Sequence, residues 1–109
     1  MCGIVGIFNL NKETVCRDVL KSMAAKIAHR GPDGQGYFMS NNIGLAHKRL
    51  AILDTSDNGA QPMSSKNNKW TIIFNGFIYN FSKLKQELKS KGHTFISETD
   101  TEVICEGLD

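Results

Sequence analysis

The residue with the clearest chemical potential is Cys2, which follows Met1 directly and precedes an apolar run, Gly3 to Phe8. If Met1 is removed, Cys2 carries both a thiol and a free α-amine. An α-amino group has a pKa of about 7.7 to 8.0, so near neutral pH it can accept a proton from a neighbouring nucleophile. Position alone leaves a second interpretation open, in which Cys2 is a small buried residue without chemistry.

Other polar residues lie at the ends of predicted elements, and each has an ordinary structural explanation. Arg49 ends a predicted strand, where a surface charge is common. Asn75-Gly76 follows an apolar run, and this dipeptide is the strongest short-range signal for a hairpin turn. Asp100 precedes a predicted helix, where a carboxylate favours the positive end of the helix dipole. From spacing alone, the structural explanations are favoured.

The composition is that of an ordinary globular domain. The 109 residues, 40% of them hydrophobic and 22% charged, can bury a core in a single domain. The net charge of +2 comes from interspersed signs rather than from a basic stripe, so we expect no nucleic-acid partner.

The cysteines and the apolar runs exclude further classes. Cys2, Cys16 and Cys105 are odd in number and lack the spacing of a zinc site, so we expect no metal ligands and a reduced, cytoplasmic protein. The longest apolar runs fall well short of the ~20 residues that span a bilayer, and no signal peptide is recognisable. We therefore expect no membrane association.

Apolar periodicity predicts the elements that position these residues. Gly3 to Phe8 is predicted as a buried strand, which would fix Cys2 beside a sheet. Apolar residues at every fourth position from Val15 to Ile27 predict an amphipathic helix over 13–28. Asn41-Asn42 predicts a turn between two strands. Further strands are predicted near 36–39, 43–48, 50–53, 70–74 and 93–96, with a loop over 54–68.

Two helices are predicted in the second half of the chain. The first runs to Lys91, with Asn80 or Ser82 as its cap and Gly92 as its stop. The second begins at a capping box, Thr99 to Glu102, and breaks off at Asp109 without a stop signal. We therefore expect mixed α and β layers in a piece of a longer protein.

Six strings of residues carry a resemblance that covers the whole chain. They are MCGIVGIF at 1–8, AHRGPDG at 28–34, GLAHKRLAILD at 44–54, GAQPM at 59–63, FNGFIYNF at 74–81 and ETDTEVI at 98–104. The chain resembles the glutaminase domain of class II, N-terminal-nucleophile glutamine amidotransferases, and most of all that of glutamine-hydrolysing asparagine synthetases. The resemblance implies an α+β fold, a four-layer αββα sandwich with two antiparallel sheets face to face. Residues 1–109 would supply its N-terminal part.

The resemblance also implies a role for each candidate residue. Cys2 would attack the side-chain carboxamide of glutamine with its own amine as base, giving a thioester and ammonia before water releases glutamate. Arg49 would clamp the substrate α-carboxylate, and Asp100 would accept hydrogen bonds from the α-ammonium. The side-chain amide of Asn75 and the N–H of Gly76 would form the oxyanion hole. Backbone atoms of Ala51, Ile52 and Leu53 would line the same pocket.

One residue departs from the family pattern. The family has Asn-Gly-Glu-Ile-Tyr-Asn at positions 75–80, and this chain has Phe77 in place of the glutamate. In the family that glutamate helps to bind the substrate α-ammonium. The departure puts glutamine affinity in question, while the nucleophile and the oxyanion hole are kept.

The resemblance implies partners and cofactors outside these residues. Glutamine would be the small-molecule substrate, and a synthetase domain of the same chain, absent from residues 1–109, would use ATP and Mg²⁺ to convert aspartate to asparagine. Residues 1–109 would need no cofactor or metal, and the resemblance leaves room for a homodimer. Two alternatives stay open: a glutaminase serving another acceptor, such as a sugar acid in surface polysaccharide synthesis, and a non-catalytic pseudo-glutaminase domain.

Overall fold

Strand β1 extends over Gly3–Phe8, as predicted, in the computed structural model, which describes residues 2–51 and 54–108. It forms an antiparallel sheet with β2 (Gly34–Ser40) and β3 (Ile43–Arg49), in the order β1-β3-β2. Gly3 lies opposite Lys48 and Phe8 lies opposite Ile43. This register places Cys2, just before β1, beside the end of β3 that carries Arg49.

The turn between β2 and β3 confirms the prediction at Asn41-Asn42. Asn41 has a φ of 52°, a left-handed conformation that asparagine tolerates better than most residues. The carbonyl oxygen of Asn41 also accepts a hydrogen bond from the N–H of Val15, at 2.9 Å. The turn therefore holds the segment before the first helix in place.

Helix α1 covers Arg17–Lys26 and begins later than predicted, because the bond from Val15 to the β2–β3 turn keeps that residue out of the helix. The apolar stripe is corrected accordingly. Leu20 and Ala24 are the helix residues buried against the sheet, whereas Val19 is 50% exposed. Cys16, which the predicted helix over 13–28 includes, is exposed and lies before α1.

The second half of the chain forms a small sheet and two helices. Its elements are β4 (Met63–Ser64), β5 (Thr71–Ile72), α2 (Phe81–Ser90) and α3 (Asp100–Leu108). Strands β4 and β5 pair antiparallel, Met63 opposite Ile72. The strand predicted over 70–74 is therefore shorter, because the N–H of Phe74 donates to the side chain of Gln61 and not to a neighbouring strand.

The strand predicted over 93–96 is wrong. Gly92 ends α2 with a φ of 97°, as its predicted role as a helix stop requires. Beyond it, the N–H groups of Ile96 and Ser97 donate to the carboxylate of Glu102. These two N–H groups therefore bond to a helix side chain and not to a neighbouring strand.

The capping predictions are met in part. The hydroxyl of Thr99 accepts the N–H of Glu102 at 3.3 Å, which is one half of the capping box. The other half is missing, because the Glu102 carboxylate turns to Ser97 and Ile96. Asn80 occupies the N-cap position of α2, as predicted, but within the described residues its side chain makes no capping bond. Ser82, the other predicted cap, lies inside the helix.

Taken together, the described elements are mixed α and β, in agreement with the expected α+β class. The core lies between α1 and the three-stranded sheet, and its buried residues are Val5, Val15, Leu20, Ala24 and Ala46. Among the helices of residues 2–51 and 54–108, none is both long and apolar enough to cross a membrane.

Candidate active site

A cavity of about 250 Å³ lies where the start of β1, the end of β3 and the start of α3 meet. Five residues with roles implied by the sequence line it: Cys2, Arg49, Asn75, Gly76 and Asp100. Phe77, the residue that departs from the family pattern, lines it as well. The fold therefore brings to one place side chains from both ends of the sequence.

Ala51, another predicted residue, does not line this cavity. Ala51 lines a neighbouring cavity of about 390 Å³, which shares Arg49 with the first. The N–H of Ala51 donates to the carboxylate of Asp33, at 2.9 Å. Ile52 and Leu53 lie outside the described residues.

The sulfur of Cys2 lies against the first residue after β3. The N–H of Leu50 points to Sγ at 3.3 Å, and the carbonyl oxygen of Leu50 is 3.7 Å from the same atom. The guanidinium of Arg30 donates from Nε to the carbonyl oxygen of Cys2, at 3.2 Å. A backbone N–H so placed is a donor that can stabilise a thiolate.

The loop that contains Arg30 is pressed onto the end of β3. A Cβ added at Gly31 would lie 2.1 Å from the carbonyl oxygen of Lys48, so only glycine fits there. The N–H of Asp33 donates to the carbonyl oxygen of Arg49, at 2.9 Å. The loop thus fixes the backbone of Arg49 and of Leu50, the residue whose N–H points to the sulfur of Cys2.

Replacement of Gly31 by alanine should destabilise the chain strongly, because its new methyl group can be accommodated only if backbone moves. We expect a loss on the order of 2 to 4 kcal/mol in the free energy of unfolding, measured by denaturant titration. Gly107→Ala is the matched control, since a Cβ there meets nothing within 4 Å. In helix α3 that change should stabilise by about 0.5 to 1 kcal/mol. Equal stability of the two variants would contradict this account of Gly31.

Arg49 is held by the loop that follows β3. Its Nη1 donates to the carbonyl oxygen of Ser56, at 2.6 Å. A Cβ at Gly59 would lie 2.3 Å from Nη2, so this buried glycine makes room for the guanidinium. A guanidinium offers five N–H donors, more than this contact uses, and its forked geometry suits a carboxylate.

Asp100 is buried and lies at the first position of α3. Its Oδ2 accepts the N–H of Ile78 at 2.9 Å, so the carboxylate secures the segment that contains Asn75 and Gly76. Asp100 lies in the first turn of α3, at the positive end of the helix dipole as predicted, while Thr99 accepts the helix N–H. A carboxylate has capacity for further hydrogen bonds, such as those of an ammonium.

Asn75, Gly76 and Phe77 lie between β5 and α2 and, within the described residues, do not form a tight hairpin turn between two strands. The Phe77 side chain is 61% exposed and stacks edge to face on Phe81, with ring centroids 6.0 Å apart. It presents no acceptor to the cavity. With Phe77 here, the acidic side chains that line the cavity in the described residues are those of Asp54 and Asp100.

Asp54 also lines the cavity. Its pKa is lowered to about 2, chiefly by the hydrogen bond from the Ser56 hydroxyl and then by the N–H of Glu98. Because the pKa of Asp54 is below its ordinary value, these hydrogen bonds stabilise the folded state at pH values above the usual pKa of a carboxyl group. The contribution is lost as the pH falls towards about 2.

Three residues that support the site have no role predicted from the sequence. Arg30 binds the main chain of Cys2, Leu50 contacts its sulfur, and Gln61 lines the cavity. The signal was present, because all three belong to the strings AHRGPDG, GLAHKRLAILD and GAQPM. Within residues 2–51 and 54–108, no three His, Cys, Asp or Glu side chains converge as metal ligands would.

The chain is similar to known proteins over nearly all of its length. The family model described as a glutamine amidotransferase domain matches residues 1–108. Glutamine-hydrolysing asparagine synthetase 1 of Bacillus subtilis (strain 168) is 45% identical over 107 residues, 95% of this chain and 17% of that protein. A probable glutamine-hydrolysing asparagine synthetase of Dictyostelium discoideum is 40% identical over 106 residues, 95% of this chain and 19% of that protein. The chain thus spans less than a fifth of the length of these relatives.

Proposed function

The chain belongs to the glutamine amidotransferase domain family, and from that premise we propose that it hydrolyses glutamine to glutamate and ammonia with Cys2 as the nucleophile. We further propose that the ammonia serves the conversion of aspartate to asparagine elsewhere in a longer polypeptide. The observation that carries the proposal is the cavity in which Cys2, Arg49, Asn75, Gly76 and Asp100 meet.

Charge complementarity supports the binding of an α-amino acid in this cavity. The Arg49 guanidinium binds the α-carboxylate, and Asp100 accepts hydrogen bonds from the α-ammonium. These two groups orient glutamine so that its side-chain carboxamide reaches Cys2. An amino acid without a carboxamide binds by the same groups but offers no leaving group.

The reaction follows from the groups around the carboxamide. The amine of Cys2, freed by removal of Met1, takes the thiol proton, and the sulfur attacks the carboxamide carbon. The Asn75 amide and the Gly76 N–H stabilise the oxyanion that forms. The C–N bond then breaks, and ammonia leaves with the proton from the Cys2 amine. Water attacks the thioester and releases glutamate.

The wider setting is also a proposal. We place residues 1–109 in the N-terminal part of a four-layer αββα sandwich, with glutamine as its substrate. The synthetase domain of the same polypeptide would bring ATP and Mg²⁺ and use the ammonia. The names of the relatives support this assignment, since they are glutamine-hydrolysing asparagine synthetases.

The test supplies the polypeptide that carries this domain with aspartate, Mg-ATP and glutamine labelled with ¹⁵N in its amide. We expect ¹⁵N in the amide of asparagine, with one glutamate formed for each asparagine. Glutamate and free ¹⁵N-ammonia without asparagine would favour another acceptor, such as a sugar acid. Absence of glutamate would favour the non-catalytic alternative and overturn the proposal.

Phe77 is the feature that favours the non-catalytic alternative, and its replacement tests this directly. A carboxylate that bonds the substrate ammonium contributes about 1.5 to 3 kcal/mol, so Phe77→Glu should lower the KM for glutamine by roughly tenfold to a hundredfold. The kcat should be nearly unchanged if the contact is equal in ground and transition states. Steady-state kinetics of glutamate release measures both constants.

Tyr79→Glu is the matched control for Phe77→Glu. Tyr79 is 93% exposed, and its replacement by glutamate introduces the same charge two residues away. It should leave the KM unchanged. A KM that is unaltered in Phe77→Glu would contradict the account of this position. Asparagine formation with added ammonia, but not with glutamine, in both the original protein and Phe77→Glu would favour the pseudo-glutaminase.

A further inference from the structure

The backbone of Phe74, the residue before Asn75, is held by two side chains. Its N–H donates to Oε1 of Gln61, at 2.6 Å. Its carbonyl oxygen lies 3.3 Å from Nε2 of His47, on strand β3. Both peptide groups that flank Phe74 are therefore fixed, and the next residue in the chain is the proposed donor to the oxyanion.

The other end of the Gln61 amide reaches α3. Nε2 of Gln61 donates to the hydroxyl of Thr101, at 3.1 Å. Thr101 is buried and directly follows Asp100. The orientation of the amide is unambiguous, since the N–H of Phe74 can only donate and must face the oxygen. One side chain thus joins the segment of Asn75 to the segment of Asp100.

The main chain of Gln61 is seated on the first sheet. A Cβ added at Gly36, on strand β2, would lie 2.1 Å from the carbonyl oxygen of Gln61. This close approach fixes Gln61 relative to the sheet whose first strand is preceded by Cys2. The main chain of Gln61 is therefore anchored to this sheet, and its side-chain amide extends to the segments of Asn75 and Asp100.

His47 adds a second support to Phe74. It is 1% exposed, and burial lowers its pKa, so the neutral ring has one N–H to give. The carbonyl oxygen of Phe74 is the acceptor in reach of Nε2, which leaves Nδ1 unprotonated. Among the described residues, Nδ1 has no hydrogen-bond partner. The contact with Phe74 is the polar interaction that accounts for a histidine here.

We propose that Gln61 is a positioning residue that fixes Asn75 and Gly76 relative to Asp100, with His47 as the second support of Phe74. The catalytic part of the inference rests on the proposed function, because it assigns the two segments to the oxyanion and to the substrate ammonium. Gln61 itself touches no reacting atom in this account. Its effect is to hold donors at a separation that suits glutamine, where a displacement of about 1 Å can cost about a hundredfold in rate.

Two substitutions, made in the polypeptide that carries this domain, distinguish the bond of Gln61 to Phe74 from its bond to Thr101. Gln61→Leu removes both hydrogen bonds and should lower kcat about tenfold to a hundredfold and raise KM. Thr101→Val keeps the shape but removes only the bond to α3, so it should raise KM several-fold and leave kcat within about twofold. Gln86→Leu, the same change at an exposed position of α2, should alter neither constant.

Rates are expressed per site that reacts with a glutamine-analogue electrophile, so unfolded protein does not contribute. A merely structural role would lower the number of reactive sites and leave kcat per site and KM unchanged. That result would overturn the proposal. Constants for Gln61→Leu equal to those for Gln86→Leu would overturn it as well.

Amide hydrogen exchange gives a readout that needs no activity. The N–H of Phe74 reports the bond to Gln61, and the N–H of Ile78 reports the bond to Asp100. Both should exchange faster in Gln61→Leu, whereas only Ile78 should do so in Thr101→Val. Unchanged exchange in Gln61→Leu would overturn the proposal. If the original protein releases no glutamate, the proposed function fails, and the exchange data alone decide whether Gln61 joins the two segments.

Discussion

Cys2→Ala is expected to abolish glutamine hydrolysis, with a loss of more than about 10⁴-fold in kcat, the scale that follows from removal of a nucleophile. The reason is chemical, because no thioester can form without the sulfur. The protein should remain folded, since Cys2 is only partly buried and precedes β1. Glutamate release, normalised to folded protein, measures the effect.

The other two cysteines are the controls for Cys2→Ala. Cys16 is exposed, and Cys105 is buried in α3, where its sulfur is 3.8 Å from the carbonyl oxygen of Met63. Cys16→Ala and Cys105→Ala should both keep hydrolysis, the second with some loss of stability. A glutamine-analogue electrophile should add once per chain, at Cys2. Equal loss in all three variants, or labelling at another residue, would contradict the assignment.

Asn75→Ala should lower kcat by about 10²- to 10³-fold and leave the KM for glutamine nearly unchanged. The oxyanion exists only after the sulfur has attacked, so a donor to it acts on the transition state and not on bound glutamine. Steady-state kinetics of glutamate release separates the two constants. The intact Gly76 N–H accounts for the activity that is left.

Asn80→Ala provides the comparison for this variant. Asn80 is exposed before α2 and, among the described contacts, makes no side-chain capping bond. Its replacement should leave both constants within about twofold. A kcat in Asn75→Ala equal to that of Asn80→Ala would mean that Asn75-Gly76 is only a turn, the structural interpretation that the dipeptide first favoured.

Local patterns predicted the elements whose signals are contained in a few residues. Strand β1, the turn at Asn41 and the stop at Gly92 are confirmed, because apolar runs and backbone conformation are local properties. The start of α1 and the absence of a strand at 93–96 depend on partners elsewhere in the chain. Val15 is held by Asn41, and Ile96 is held by Glu102. Nothing within either segment indicates those bonds.

The residues of the candidate site were predicted by the family resemblance and not by local spacing. The resemblance named Cys2, Arg49 and Asp100, which line one cavity, whereas spacing alone favoured structural explanations for the last two. No role was predicted for Gln61, because an amide side chain has no charge and no distinctive reactivity. Its position became meaningful only when the fold showed that it contacts both Phe74 and Thr101.

The register of β1 has a consequence for the order of events during synthesis. Gly3 pairs with Lys48, so β1 cannot join its sheet until the chain has grown by about 45 residues more. At about 5 to 20 residues per second, a ribosome needs about 2 to 9 s for that length. During this interval the segment that becomes β1 has no strand partner. If Met1 is removed, as the proposed function requires, this interval precedes the pairing of β1 that brings Cys2 beside Leu50 and Arg30.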